Sequence, residues 1–595
     1  FIYLLRSSSG IIREKIRETF GHIISEEDEV RLANLIYYPE KMINQIKQAN
    51  EYTEDWQKTA VYRLVQICRE VSSKYTRSKV RKKMPKEFSG VIDELLYVDN
   101  TDDNKTEYYS ELINTLIDVR VADSFIVVIC SLIRSLTIDN LHILGDIFDR
   151  GPRPDIILEE LMHFHDVDIQ WGNHDISWMG AATGNRACIC NVLRMALGYN
   201  GFDVLEDGYG INLRPLSMFA ERVYRDDPCT CFLPQILDKN IYDAVDPKLA
   251  AKMHKAIAVL QYKEEGQIIK RHPEYGMEER ILLSAIRYDR GTVTIDGKEY
   301  PMRDMNFPTV DPADPLRLTD EEEELLHTLE LSFRHNARLH EHVRFLYSNG
   351  SMYKCCNSNL LYHGCIPMTE NREFDGLMVG GKMYRGKELM DFIDTQVKNA
   401  YFLPEDAPEK EACRDFMWYL WNGAKSPVFG KDKNRSFEHY FIEDPEVMRE
   451  TMNPYYQLSE EEETCDMILK EFGLPTKGSH IINGHMPVKI KSGETPIRAG
   501  GKLFIIDGGL SKAYQERTGI AGYTLIFNSH HLALAEHKPF DPERERTPKV
   551  YIVEKMQKRI TVADTDEGKE LAGRIEDLKE LLKAYRSGLL KERVR

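Results

Sequence analysis

A chain that ends two apolar strands in Gly-Asp-x-x-Asp-Arg-Gly and Gly-Asn-His-Asp must gather charge at the tips of strands. Residues 141–175 read LHILGDIFDRGPRPDIILEELMHFHDVDIQWGNHD. Leu141 to Leu144 is a short apolar run that stops at Gly145-Asp146, with Asp149-Arg150-Gly151 close behind. Pro152 fits the first turn of a helix, where its missing N–H costs nothing. Ile156, Ile157, Glu160 and Leu161 then recur at helical spacing. Val167 to Trp171 is the next apolar run and ends at Gly172-Asn173-His174-Asp175. The pattern predicts two parallel strands that deliver polar side chains at their carboxyl ends, where open α/β sheets hold their sites. Two such clusters of charge would be expensive to bury without a metal or a substrate.

The remaining chain arranges itself around that unit. Residues 1–137 read as mostly helical, with Trp56, Ala60, Leu64 and Cys68 at helical spacing. Within them KYTRSKVRKKMPK, residues 74–86, is strongly basic, which suits a solvated face or a subunit contact better than an anion site. Residues 138–225 are expected to form the first part of a catalytic core. Residues 226–349 read as a helical insertion with a hairpin, its strands Thr292–Ile295 and Lys298–Met302 flanking Asp296-Gly297. The core resumes over 350–560, with a second helical insertion at 380–475, and 561–595 is a charged terminal helix. In the second part Leu360-Leu361-Tyr362 runs into His363-Gly364, His480 to Asn483 into Gly484-His485, and Leu503 to Ile506 into Asp507-Gly508-Gly509. This late β-structure implies a second sheet packed on the first.

Composition sets the partners. The 595 residues carry 79 basic and 96 acidic side chains, a formal charge of −17, which argues against general nucleic-acid binding. An anionic substrate is still compatible, because bound metal and local arginines set the field inside a site. The longest apolar run, near Phe125 to Ile133, is too short to span a bilayer. FIYLLRSSSG has neither the basic leader nor the apolar length of a signal peptide, so cytoplasm is the expected compartment. None of the eleven cysteines forms a C-x-x-C pair, and reduced thiols are expected rather than structural zinc.

Four polar clusters thus stand at strand ends: Asp146/Asp149/Arg150, Asn173/His174, His363 and His485. Asp, Asn and His together suit manganese, iron or zinc rather than a soft metal. A carboxylate bridging two metals, with imidazoles and an amide on one of them, is the layout of a two-metal hydrolase. Arg150 has the planar fork that grips phosphate oxygens. Taken singly, His363 or His485 reads as an ordinary turn or core histidine. Beside the two Asp-rich motifs they become ligand candidates, since the site otherwise lacks donors.

GDIFDRG with GNHD resembles the calcineurin-like metallophosphatase superfamily. Longer strings, YYPEKMI, SSKYTRSKVRK, HILGDIFDRGPRPD, DIQWGNHD, YGINLRPL, LLYHGCIP, HIINGHMPVK and IDGGLSKAYQ, are similar to class 3 fructose-1,6-bisphosphatases over almost the whole chain. That resemblance implies an α/β fold of two mixed sheets packed together and flanked by helices, with large helical insertions. It implies a manganese-dependent phosphomonoesterase that releases the 1-phosphate of fructose 1,6-bisphosphate in gluconeogenesis. Asp146 would bridge the metals, with Asn173, His363 and His485 as ligands. Asp149 would orient His174, the proton donor, and Arg150 would hold the phosphate. Asp507, Ser511 and Lys512 would help to shape the sugar site. The superfamily's D-x-H motif is missing, and the likeness of FIYLLRSSSGIIREKIRETF to the helix after it implies that it lies upstream of Phe1. A protein serine/threonine phosphatase, a dinucleoside polyphosphatase and a non-catalytic binding module stay open on the residues alone, as does homo-oligomerisation.

Overall fold

Helices dominate the first part of the chain because caps and apolar spacing coincide there. The computed structural model describes residues 12–13, 15–97, 103–235, 245–509, 511–538 and 549–590. Ser25 Oγ accepts the Asp28 N–H at the start of the helix Glu26–Tyr37, and Thr53 caps Glu54–Ser72 through the Trp56 N–H. Such caps satisfy donors that the first helical turn leaves open. Ile36, Leu64, Cys68, Phe125 and Ile129 are fully buried in one apolar cluster. This cluster is the core of a first unit, Phe1–Leu141 with Phe164–Val167 and Ala535–Tyr551. The basic 74–86 segment spends much of its charge inside this unit. Arg77 and Arg81 both reach Asp93 at 2.6 Å, and Lys79 and Lys83 reach Asp139 at 3.0 and 2.7 Å. Residues 1–11, the greater part of the segment likened to the helix after D-x-H, lie outside the described residues.

The second unit comprises His142–His163, Asp168–Leu534 and Ile552–Arg595 and is α/β. Strands Leu141–Ile143, Val167–Gln170 and Gly350–Ser351 share one sheet in that order, the last two parallel with Ile169 opposite Gly350. The helix between the first two strands starts at Pro154, not Pro152. A residue before proline is pushed toward extended backbone, so Arg153, with φ −141°, sits outside the helix. The helical pattern after Asp175 is two helices, Asn173–Ala182 and Arg186–Gly198, broken where Gly184 turns with φ 92°.

A five-stranded sheet runs in the order Ile497–Arg498, Leu503–Ile505, His480–Asn483, Asn359–Tyr362, Tyr353–Cys356. Its three central strands are parallel and its edges antiparallel. Asn359–Tyr362 and His480–Asn483 are buried at every position, as expected of parallel strands covered on both faces. Leu361, Ile482 and Phe504 from this sheet pack with Leu144, Leu532, Leu525 and Phe527. The last three come from the strands Gly522–Phe527 and His531–His537, which with Lys549–Lys555 make a further sheet. In all, the strands of the described residues divide among five small sheets rather than two continuous ones.

The charge-rich 226–349 block buries several of its charges in pairs. On the helix Pro247–Arg271, Lys255 lies 2.6 Å from both Asp227 and Asp304, and Lys263 lies 2.6 Å from Glu322. The block's hairpin turns at Asp296 and Gly297, both at positive φ, between Thr292–Ile295 and Lys298–Pro301. No helix of the described residues is long and apolar enough to cross a membrane.

Candidate active site

The two glycine-led motifs fold against each other. A Cβ on Gly145 would lie 2.4 Å from Gly172 N, and one on Gly172 would lie 2.2 Å from Asp146 Oδ1. Only glycines permit that approach. Asp175 joins the two turns: its Oδ2 accepts the N–H groups of Asp146 (2.8 Å) and Gly172 (3.0 Å), and its Oδ1 accepts Phe148 N–H (3.3 Å). The outcome is that Asp146, in a left-handed conformation with φ 55°, aims its carboxylate across the top of the strands.

Four of the expected residues surround that carboxylate or its rim. Asp146 Oδ1 accepts the His174 backbone N–H at 3.2 Å, and Oδ2 stands 3.2 Å from His363 Nε2. His363 follows the strand Asn359–Tyr362 and donates its Nδ1–H to the Leu144 carbonyl at 2.5 Å. His485 follows His480–Asn483, with φ 63°, and donates Nε2–H to the Phe429 carbonyl at 3.0 Å. With those protons committed, the neutral forms of both rings would turn the lone pairs of His363 Nε2 and His485 Nδ1, 3.2 Å apart, toward each other. Such an arrangement calls for a cation between them and Asp146. Asn173 opens the helix Asn173–Ala182, and its Oδ1 is buried with no hydrogen-bond partner. The grouped carboxylate and two imidazoles, with a buried orphan acceptor on the residue before His174, fit a divalent metal with oxygen and nitrogen ligands.

The electrostatics agree. Burial opposes ionisation of Asp146, but the imidazoles of His363, His174 and His485 outweigh it and hold the carboxyl well below the usual range. Burial would also keep His363 neutral, yet Asp146 lifts it to about 9. Burial, and then the charge on His363, pulls His485 down to about 3. So Asp146 stays ionised against a charged His363, while His485 stays neutral. Burial and the charge on Asp146 push Asp175 upward.

The other half of the site holds Asp149, Arg150 and His174. His174 Nε2 lies 3.1 Å from Asp149 Oδ1, which also stands within 3.4 Å of the Tyr514 hydroxyl and of Arg150 Nε. Arg150, at φ 52°, lays its guanidinium between the rings of Tyr199 (4.5 Å) and Tyr514 (4.9 Å). A small cavity of about 40 Å³ opens beside it, lined by Phe148, Arg150, His174, Ser177, Trp178 and Tyr199 among others. A larger cavity, about 490 Å³, lies elsewhere, between Arg186, Glu264, Arg271 and Arg414, and contains none of the motif residues.

Asp507 is close to the metal-type cluster. Burial and the charges of Asp146 and Asp149 push its carboxyl up to about 6 against the Gly509 N–H, which it accepts at 2.7 Å. Ser511 keeps its hydroxyl buried without a partner. The side chain of Lys512 lies outside the described residues. Three site residues escaped the sequence reading. Tyr199 closes a stretch that looked like ordinary helix, and Tyr514 lies in the IDGGLSKAYQ string expected at the sugar site but was given no role of its own. Trp421, from the aromatic segment read as core, meets the His174 ring edge-on at 5.0 Å, with its indole N–H buried and unpartnered.

Comparison with known sequences is decisive about kinship. The sequence model described as Firmicute fructose-1,6-bisphosphatase matches residues 1–587. A protein of Clostridium tetani named fructose-1,6-bisphosphatase class 3 is 49% identical over 601 residues, covering 100% of this chain and 91% of that relative. A Bacteroides fragilis protein of the same name is 50% identical over 602 residues, with the same two coverages. One from Clostridium novyi is 49% identical over 599 residues, 100% of this chain and 90% of the relative. No solved structure matches the chain.

Proposed function

This chain belongs to the Firmicute fructose-1,6-bisphosphatase family, and from that premise we propose that it hydrolyses the 1-phosphate of fructose 1,6-bisphosphate to fructose 6-phosphate and phosphate. The observation that carries the reading is the Asp146 carboxylate held between His363 and the His174 backbone N–H, with His485 in the same group of ligand atoms and Arg150 beside Asp149. Asp146, Asn173, His363 and His485 would hold a divalent cation, manganese by the family expectation. When bound, such an ion screens phosphate charge and supplies a water acidic enough to act at neutral pH.

The chain's own residues do the rest. Arg150 presents its fork to the phosphate, and the rings of Tyr199 and Tyr514 keep the guanidinium from swinging away. His174 gives a proton to the departing sugar oxygen, and Asp149 fixes the imidazole so that its other nitrogen faces the substrate. Trp421 packs against the ring and shields that proton from bulk water. The packing of Leu361, Ile482 and Phe504 on Leu525, Phe527 and Leu532 supports a metallophosphatase-type sandwich of two sheets. The reaction places the enzyme in gluconeogenesis in the cytoplasm.

Phosphate release in manganese buffer, measured side by side on fructose 1,6-bisphosphate and on a phosphoserine peptide, tests the proposal. Preference for the sugar by at least tenfold in kcat/KM is the expected result. Preference for the peptide refutes the substrate assignment.

A further inference from the structure

The terminal helix Asp566–Arg586 is capped by Thr565, whose Oγ1 accepts Gly568 N–H at 3.1 Å, and the chain turns away at Gly588 with φ 76°. Gly568 is its only buried residue. Yet Leu571, Ile575, Leu578, Leu582 and Tyr585 stand along it at steps of four, three, four and three, each between 43% and 64% exposed. Leu589, one further step of four, is 82% exposed in the closing turn. No other helix of the described residues exposes large apolar side chains at such spacing.

We infer that this helix is one half of an antiparallel two-helix coiled coil, and that the other half is the same helix of a second copy of this chain. A helix of this length, with Gly573 in its interior, is marginal in water without a packed face. The 3.5-residue period is itself the argument for the occupant. Knobs-into-holes packing needs a partner helix with the same period, and a second copy supplies it by symmetry. The apolar side chains so covered amount to on the order of 1,000 Å² from two helices, the lower bound of a specific interface.

Charge chooses the direction. Let Ile575 and Leu582 be the first core position of the heptad, and Leu571, Leu578 and Tyr585 the second. The residues that flank the seam are then Arg574, Lys579, Leu581 and Arg586. A parallel pair would set Arg574 against the partner copy's residue 579, a lysine, on both sides. An antiparallel pair in which Leu578 meets residue 582 of the second copy sets Ile575 against residue 585. It brings Leu581, 44% exposed, against its own equivalent, and leaves Arg574 facing a glycine. The one like-charge meeting is Lys579 with its equivalent, and each lysine is already held by its own Glu576 at 2.7 Å.

The test is sedimentation velocity on the full chain, comparing wild type with a Leu578→Glu/Leu582→Glu variant. A wild-type dimer that becomes a monomer of unchanged circular dichroism supports the inference. A wild-type monomer at micromolar concentrations, or a dimer that survives both substitutions, overturns it. Cysteine pairing reads the direction without any need for disruption. On mild oxidation Leu581→Cys should cross-link to its own equivalent, found by mass spectrometry of the digest, and Leu582→Cys should not. The reverse result means a parallel pair and overturns the arrangement.

Discussion

Replacing Gly172 with alanine tests whether the position of the Asp146 carboxylate governs the chemistry. Gly172 has φ −88° and ψ 169°, which alanine adopts freely, so the substitution adds no backbone strain of its own. The new methyl carbon would fall 2.2 Å from Asp146 Oδ1 and 2.5 Å from Asp146 N. Ordinary carbon contacts lie near 3.5 Å, so the carboxylate must retreat by about 1 Å. The retreat also stretches the bond that Oδ1 accepts from His174 N–H, worth roughly 1 kcal/mol. Overpacking of this kind costs about 1–3 kcal/mol of stability. A misplacement of about 1 Å at reacting groups costs roughly 10²-fold in rate. We therefore expect Gly172→Ala to fold, to lose about 10²-fold in kcat on fructose 1,6-bisphosphate, and to bind manganese roughly 10- to 100-fold more weakly. Phosphate release, thermal melting and calorimetric metal titration measure the three quantities. A variant with wild-type kcat and metal affinity would refute the assignment of Asp146 as the central ligand.

Three further outcomes follow from the same geometry. His174→Asn should keep substrate KM within a few fold and lower kcat by about 10²–10⁴, because it removes the proton donor and not the phosphate grip; a loss confined to KM would contradict that role. Lys263→Met should destabilise by about 3–5 kcal/mol in urea unfolding, since it strands the buried Glu322 carboxylate, whereas Lys263→Met with Glu322→Gln should recover much of the loss. His142 is the third. Burial disfavours its charged ring, but Asp168 at 2.8 Å and Cys356 outweigh it and hold the pKa at about 9, above the unfolded value of about 6.5. A raised pKa gives stability that is fully present below about 6.5 and lost as pH rises through about 9, on the order of 2–3 kcal/mol across the window. Denaturant midpoints measured from pH 6 to 10 should show that slope in wild type and lose it in His142→Gln.

Much of the site could be read from strand ends. Asp146, Asn173, His363 and His485 each follow an apolar run within a few residues of its end, and a parallel strand can point its last residue only toward the carboxyl edge of the sheet. Their convergence therefore needed no knowledge of loops. Tyr199 and Trp421 were not legible, because an aromatic side chain in a helix looks the same whether it packs on a leucine or on a histidine of the candidate site; the string around Tyr514 pointed to the site, but not the ring's place against Arg150. Asp175 was visible as part of a motif, but its task of joining two turns depends on backbone N–H groups that carry no sequence signal. The helix start at Pro154 was misplaced by two residues, because two prolines competed and only the conformational pressure on Arg153 separates them. The terminal helix was read as charged and amphipathic, but that its apolar face lies open becomes evident only once exposure is known.

Crystals of the chain soaked in manganese and measured near the manganese edge test the central claim most directly. The expected result is an anomalous peak in contact with Asp146, Asn173, His363 Nε2 and His485 Nδ1, where two imidazole nitrogens and a carboxylate already converge. A peak bound elsewhere, with those four residues unliganded in an otherwise intact site, would contradict it.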